Sequence, residues 1–240
     1  MLKATTNLIK DLKKQKRENS SLLFLDNIKI IKDVIKNGFK PLCILTDDEG
    51  LSFDCDNIFK VERKTIEMLA DTKTPQGVVC VLEYPQYVVE KPKTNFLVLD
   101  RLQDPGNVGS LIRTATACGF EYIYLIDSVK VGNSKLVRSS VGTVFYSKIF
   151  SLTSDEFIKK AKEWQLTLVK ADMNGENIFE AEFDGMVGLV VGNEGQGVSQ
   201  QISEICKANV KIPMKECVES LNAAISGSII MYEIAKKTLK

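Results

Sequence analysis

The 240-residue chain reads as an α/β protein with a mostly parallel sheet, arranged as two domains. Three observations carry this. Short apolar, β-branched runs alternate with stretches of helical periodicity from one end to the other. No internal repeat or low-complexity tract breaks the series. The composition, 44% hydrophobic and 26% charged, is that of a chain able to bury a core.

The elements follow in order. Ile9 and Leu12 among lysines predict a short basic helix. Leu22–Leu25 is an expected strand. Ile28, Ile31, Val34 and Ile35 recur at helical spacing over 28–37, with Gly38 as the stop signal. Residues 42–45 and 57–61 are the next strands, 63–70 a helix and 77–82 a strand. This is a βαβ-type unit of small-domain size. Residues 83–95 (EYPQYVVEKPKTN) carry two prolines and little apolar periodicity, so they read as a linker.

The second series opens with strand Phe96–Asp100, helix 107–118 and strand Tyr122–Ile126. A polar loop containing Arg138-Ser139-Ser140-Val141-Gly142 is expected next, then strand 144–150, helix 154–164 and strand 166–170. Strands at 186–191 and 209–212 and a long helix over 221–237 complete it. Such alternation predicts a sheet covered by helices on both faces.

The chain has no histidine, which excludes Ser-His-Asp triads, Cys-His pairs and His-ligated zinc. The six cysteines, Cys43, Cys55, Cys80, Cys118, Cys206 and Cys217, form no C-x-x-C pair and mostly sit in apolar runs. They read as buried, reduced thiols of a cytoplasmic protein. The N-terminal segment lacks the apolar stretch of a signal peptide, and no apolar run is long enough to span a membrane. The overall charge of +1 conceals an asymmetry. Residues 1–40 hold ten basic and four acidic residues, a net of +6, and the remainder nets −5. A basic leading segment suits a polyanion partner or a solvated helix face.

Three loops stand out, each following a strand. After Phe96–Asp100 comes Arg101-Leu102-Gln103-Asp104-Pro105-Gly106-Asn107, where Pro-Gly opens a helix. Asn107, Ser110 and Arg113 recur every three residues on its polar side, and an arginine there suits a phosphate. After 187–191 comes Gly192-Asn193-Glu194-Gly195-Gln196-Gly197. Its glycines admit close approach of a ligand, yet its spacing matches neither dinucleotide nor Walker-type loops. After Val210-Lys211-Ile212 comes Pro213-Met214, then Glu219-Ser220-Leu221-Asn222, with Ser220 as the expected cap of the last helix. In open parallel sheets ligands bind at the carboxyl ends of strands, so three such loops predict one cofactor pocket.

These segments resemble the three motifs of the SpoU/TrmH family of RNA 2′-O-ribose methyltransferases, within the SPOUT superfamily. The matching stretches are DPGNVGSLIRTATACGF, GLVVGNEGQGVS and VKIPMKECVESLNAAISG. Thr74-Pro75-Gln76-Gly77-Val78 and Val137-Arg138-Ser139-Ser140-Val141-Gly142 also match in order. The resemblance covers 96–240 strongly. Residues 1–82 resemble, less closely, the ribosomal-protein-like RNA-binding domain that often precedes this catalytic domain.

The resemblance implies a trefoil-knotted catalytic domain, S-adenosyl-L-methionine as cofactor, no metal, and a homodimer with active sites near the interface. Carried over by position, Arg113, Asn107 and Glu194 are the catalytic set. Gly192, Asn193, Gly197, Ile212, Met214, Ser220, Leu221 and Asn222 are the cofactor-binding set, with Gly192, Ile212 and Leu221 acting chiefly through backbone groups. The two-domain layout resembles the branch acting on ribosomal RNA. A tRNA target, or a non-catalytic RNA-binding role on the same fold, are the alternatives. Two positions depart from the pattern: Cys217, where glycine is usual, and Ala224, where serine is frequent. The first bears on loop conformation, the second on a hydrogen bond near the pocket. The 2′-hydroxyl must lose a proton without imidazole. Either a deprotonated Arg113 or an RNA phosphate positioned by it takes that proton, and arginine's high pKa favours the phosphate.

Overall fold

The computed structural model describes residues 2–18 and 22–236. Part of the basic leading segment (1 and 19–21) and the expected end of the last helix at Lys237 lie outside the described residues. The chain divides into two compact units, Met1–Pro85 with Gly132–Ser134, and Gln86–Val131 with Lys135–Lys240.

The first unit holds strands β1 (Leu2–Lys3), β2 (Leu22–Leu25), β3 (Cys43–Thr46), β4 (Ile58–Lys60) and β5 (Val78–Glu83). Helices α1 (Thr6–Arg17), α2 (Ile28–Lys36) and α3 (Arg63–Leu69) accompany them. The Asn27 side chain caps α2, accepting from the Ile30 amide at 3.1 Å, and Gly38 at φ +82° ends it. The sheet order is β1-β4-β3-β5-β2. Here the βαβ expectation needs amending: β2, α2 and β3 form a crossover, but β5 lies between β2 and β3 and runs antiparallel to both. The loop that returns the chain after α3 is the reason. Asp26, 4% exposed, accepts from the Asp71 amide (3.0 Å), the Thr72 amide (2.9 Å) and the Thr72 hydroxyl (2.9 Å). Arg63 donates to the Pro75 carbonyl at 2.7 Å. Removing the carboxylate leaves three part-buried donors without their shared acceptor, so Asp26→Ala is expected to destabilise this unit by about 2–3 kcal/mol, measured by urea unfolding.

One basic residue of α1 is structural. Lys16 donates to the Ala70 carbonyl at 2.9 Å and pairs with Asp71 at 2.8 Å, bracing the end of α3. Lys10, Lys14 and Arg17, at helical spacing, remain exposed.

The second unit contains β6 (Phe96–Asp100), α4 (Pro105–Ala117), β7 (Tyr122–Ile126), α5 (Ser134–Ser139), β8 (Lys148–Leu152), α6 (Ser154–Glu163), β9 (Leu168–Asn177), β10 (Gly188–Gly192), α7 (Gln200–Ser203), β11 (Ala208–Lys211) and α8 (Ala223–Ala235). Its six strands, in the order β11-β9-β10-β6-β7-β8, are parallel throughout. Phe96, Val98, Tyr124, Phe150 and Val190 pack on one face with Phe157 and Ala161 of α6 and Ile202 of α7. The alternate strand residues face α4 and α8, which also pack on each other. Tyr87 and Val89 join the first of these cores, and the Tyr124 hydroxyl donates to the Glu90 carbonyl at 2.7 Å. This end of the 83–95 segment is therefore anchored.

Two expectations are corrected. The polar loop around 138–142 is the helix α5 and its exit: the Ser139 and Ser140 hydroxyls bond back to the carbonyls of Lys135 and Val137, so their polarity is satisfied within helical turns. The strand expected at 144–150 begins only at Lys148. Val144 and Phe145 are instead buried from a 3₁₀ turn, Thr143–Phe145, entered through Gly142 at φ +81°. An apolar pair can be buried from either geometry, and periodicity does not separate them over so short a span.

Candidate active site

The first loop is set by the start of α4. Asp104 is the N-cap, accepting from the Asn107 amide at 2.9 Å, with Pro105 in the first turn. That amide and the Lys135 ammonium at 3.0 Å hold the Asp104 carboxyl below the usual carboxylate range.

Asn107 joins all three loops. Its side-chain amide donates to Glu194 Oε1 at 2.9 Å, and its Oδ1 accepts from Asn222 Nδ2 at 3.0 Å. Asn222, in turn, is the true cap of α8: its Oδ1 accepts from the amides of Ala224 (2.8 Å) and Ile225 (3.3 Å). The expectation that Ser220 caps this helix is thus corrected. Asn222 already meets the first free amides of α8, and Ser220 falls before its first turn.

The second loop leaves β10 at Gly192. A Cβ on Gly192 would lie 2.2 Å from the Gly197 carbon and 2.2 Å from the Val198 nitrogen, so only glycine fits. Asn193 and Gly197 exchange backbone hydrogen bonds of 3.0 and 2.9 Å, closing the loop on itself.

Beside this loop lies a cleft of about 560 Å³. Gly192, Asn193, Glu194 and Gly197 line it from the second loop; Ile212, Met214, Ser220 and Leu221 line it from the third. Every residue expected to hold the cofactor therefore borders the cleft except Asn222. That residue lines an adjoining recess of about 510 Å³ with Asn107, Ser110 and Ser139. Arg113 lines neither. It stands exposed on α4, with no hydrogen bond or ion pair among the described residues.

Motif reading missed one wall of the cleft, formed by Ala171, Asp172, Met173 and Asn174. The register of β9 against β11 jumps here: Asn209 pairs with Lys170, but Val210 pairs with Glu176. The intervening residues are pushed out of the ladder and toward the cleft. Gly175 makes this possible, since a Cβ there would meet the Asn209 carbon and Val210 nitrogen at 2.5 Å. The glycine within an apolar-to-polar strand end was the available signal. Cys217 is exposed and does not adopt positive φ, so its position does not require glycine in this chain. Among the described residues no group of three Cys, Asp or Glu side chains is placed to hold a metal ion, and no helix is long and apolar enough to cross a membrane.

The chain is similar in sequence and in fold to known proteins. Over 241 residues the chain is 26% identical to a 23S rRNA (guanosine(2553)-2′-O)-methyltransferase of Bacillus subtilis, covering 96% of this chain and 97% of that protein. It is 31% identical to a TrmH family tRNA/rRNA methyltransferase of the same organism, covering 86% of each. In fold it matches an AdoMet-bound rRNA methyltransferase from Sinorhizobium meliloti with a TM-score of 0.86 at 23% identity, over 100% of this chain and 98% of that one. These sequence likenesses define the class: the chain is an RNA methyltransferase. The chain belongs to the SpoU rRNA Methylase family, whose model matches residues 94–232.

Proposed function

We propose that this chain transfers a methyl group from S-adenosylmethionine to a ribose 2′-hydroxyl in RNA, ribosomal RNA foremost. The observation that supports it most strongly is the convergence of the three motif loops through Asn107, beside a cleft bordered by seven of the eight expected cofactor residues. The cleft suits this cofactor. Val191, Met214, Leu221 and Ile230 offer apolar surface for a flat base, while Asp172, Asn174 and Ser220 offer polar groups to a zwitterionic tail. The missing side chain at Gly192 lets the backbone of Gly197 and Val198 fold back against the strand end, which shapes this wall of the cleft.

When bound, S-adenosylmethionine supplies a methyl group already activated on a sulfonium. The chain's residues then have three tasks. The backbone at Gly192, Ile212 and Leu221 and the side chain of Met214 hold the cofactor. Asn107 and Glu194 form a fixed polar pair that orients the ribose side of the site. Arg113, exposed and unpaired among the described residues, binds an RNA phosphate bidentately, and an oxygen of that phosphate accepts the proton leaving the 2′-oxygen.

The same reading assigns the two parts of the chain. Residues 1–82 place the RNA, 83–95 connect, and 96–240 catalyse. The passage of β11 beyond β9 belongs to a trefoil knot. The protein works in the cytoplasm as a homodimer, paired through the outer surface of α4 and α8. This leaves Arg113 on the paired side and covers Ile225 and Tyr232, which are 53% and 62% exposed.

Incubation with methyl-labelled S-adenosylmethionine and ribosomal RNA tests the reaction. Label is expected on a 2′-O-methylnucleoside after digestion; label on a base overturns the ribose assignment. For the leading unit, a triple variant carrying Lys10→Glu, Lys14→Glu and Arg17→Glu is expected to weaken RNA binding by about tenfold or more at ~0.1 M salt, with a shallower salt dependence. Cofactor affinity should not change. Equal RNA affinity in wild type and variant removes this helix from the RNA surface.

A further inference from the structure

We propose that Arg101 is a positioning residue for the methyl-transfer site, fixing the 193–197 loop that carries Glu194 and walls the cofactor cleft. The inference rests on the methyltransferase reading above and goes beyond the three motifs. The loop needs an external brace. It contains Gly195 and Gly197 and follows Gly192, and residues 194–197 are exposed, so few apolar contacts restrict it.

Arg101 supplies that brace from the end of β6. Its backbone is left-handed at φ 59°, a conformation non-glycine residues seldom adopt. In that conformation its amide donates to the Ile126 carbonyl at 2.8 Å, and its own carbonyl accepts from Asn193 Nδ2 at 3.0 Å. Asn193 Oδ1 then accepts from the amides of Gly195 (3.0 Å) and Gln196 (3.1 Å). The guanidinium reaches the far side of the loop, with Nη1 donating to Gln196 Oε1 at 3.2 Å and Nη2 to the Gly197 carbonyl at 3.4 Å. One residue thus grips both limbs of the loop, by its main chain and by its side chain.

Asp100 anchors the grip. Fully buried, it accepts from the Ser199 amide at 2.5 Å and lies 3.7 Å from Arg101 Nε. Asp100 Oδ1, Arg101 Nε and Ser199 Oγ are buried without a hydrogen-bond partner among the described residues. Strained backbone and unpaired polar atoms together, beside a ligand cleft, mark a position where geometry outweighs local stability.

Three variants test this, with calorimetric titration of S-adenosylmethionine, steady-state methyl transfer and thermal melting as readouts. Arg101→Gly keeps the left-handed backbone and removes the guanidinium. It is expected to weaken cofactor binding by about tenfold and lower kcat, leaving RNA affinity and the melting midpoint near wild type. Arg101→Lys should recover only part of the loss, because an ammonium does not bridge Gln196 and Gly197 as a fork does. Gln196→Ala tests the same contact without touching Arg101, and its loss should not add to that of Arg101→Gly. Wild-type cofactor affinity and turnover in Arg101→Gly would overturn the proposal. So would parallel losses in every readout with a lowered midpoint, the sign of a merely structural role. A wild-type protein that neither binds S-adenosylmethionine nor transfers methyl sinks the methyltransferase reading itself, a separate result.

Discussion

Arg113→Lys is expected to reduce methyl transfer on the order of a thousandfold, with S-adenosylmethionine affinity unchanged. The substitution keeps a positive charge and changes its shape. Guanidinium presents a planar fork to a phosphate, whereas ammonium is a compact point charge that neither orients the phosphate nor fixes the distance to the 2′-oxygen. Arg113 stands exposed, lines neither the cleft nor the neighbouring recess, and makes no hydrogen bond or ion pair among the described residues. Its replacement should therefore leave the melting midpoint unaltered. Single-turnover rates beside calorimetric titration check this. Near-wild-type transfer by the lysine variant removes Arg113 from the proton path.

The second large effect is expected at Gly192. Gly192→Ala places a methyl group 2.2 Å from backbone atoms of Gly197 and Val198, and backbone cannot swing aside as a side-chain tip does. The loop must open, moving Glu194 away from Asn107 and distorting the cleft wall. A displacement of about 1 Å at such a site is worth about a hundredfold, and both cofactor affinity and turnover should fall on that scale. Gly195→Ala is the control: the nearest atom to its Cβ is Asn193 Oδ1 at 3.7 Å, so binding should stay near wild type. Equal behaviour of the two variants would show that backbone proximity at Gly192 does not shape the site.

The α/β class and the parallel sheet of the second unit were legible because buried parallel strands read as unbroken apolar runs: FLVLD, YIYLI and GLVVG are each buried along nearly their whole length. The three loops were legible because glycine, proline and asparagine cluster where strands end. What connected the loops was not. The Asn107 bonds to Glu194 and Asn222 span 87 and 115 residues, and no local pattern reports contacts of that range. The reversal of β5 was hidden for the same reason, since it depends on Asp26 holding residues 45 and 46 positions away. Arg101 was passed over because its significance lies in a positive φ, which a non-glycine residue does not announce. Helix α5 was misread because serines near a glycine resemble a loop until their hydroxyls are seen to close on the preceding turn.

Nucleotide-resolution mapping of 2′-O-methylation in ribosomal RNA, from cells with and without this protein, tests the proposed activity in its natural setting. One ribose methyl should vanish when the protein is absent and return with the wild-type chain but not with Arg113→Lys. An unchanged ribose-methylation map, or the loss of a base methyl in its place, would show that this site does not act on a ribosomal RNA ribose.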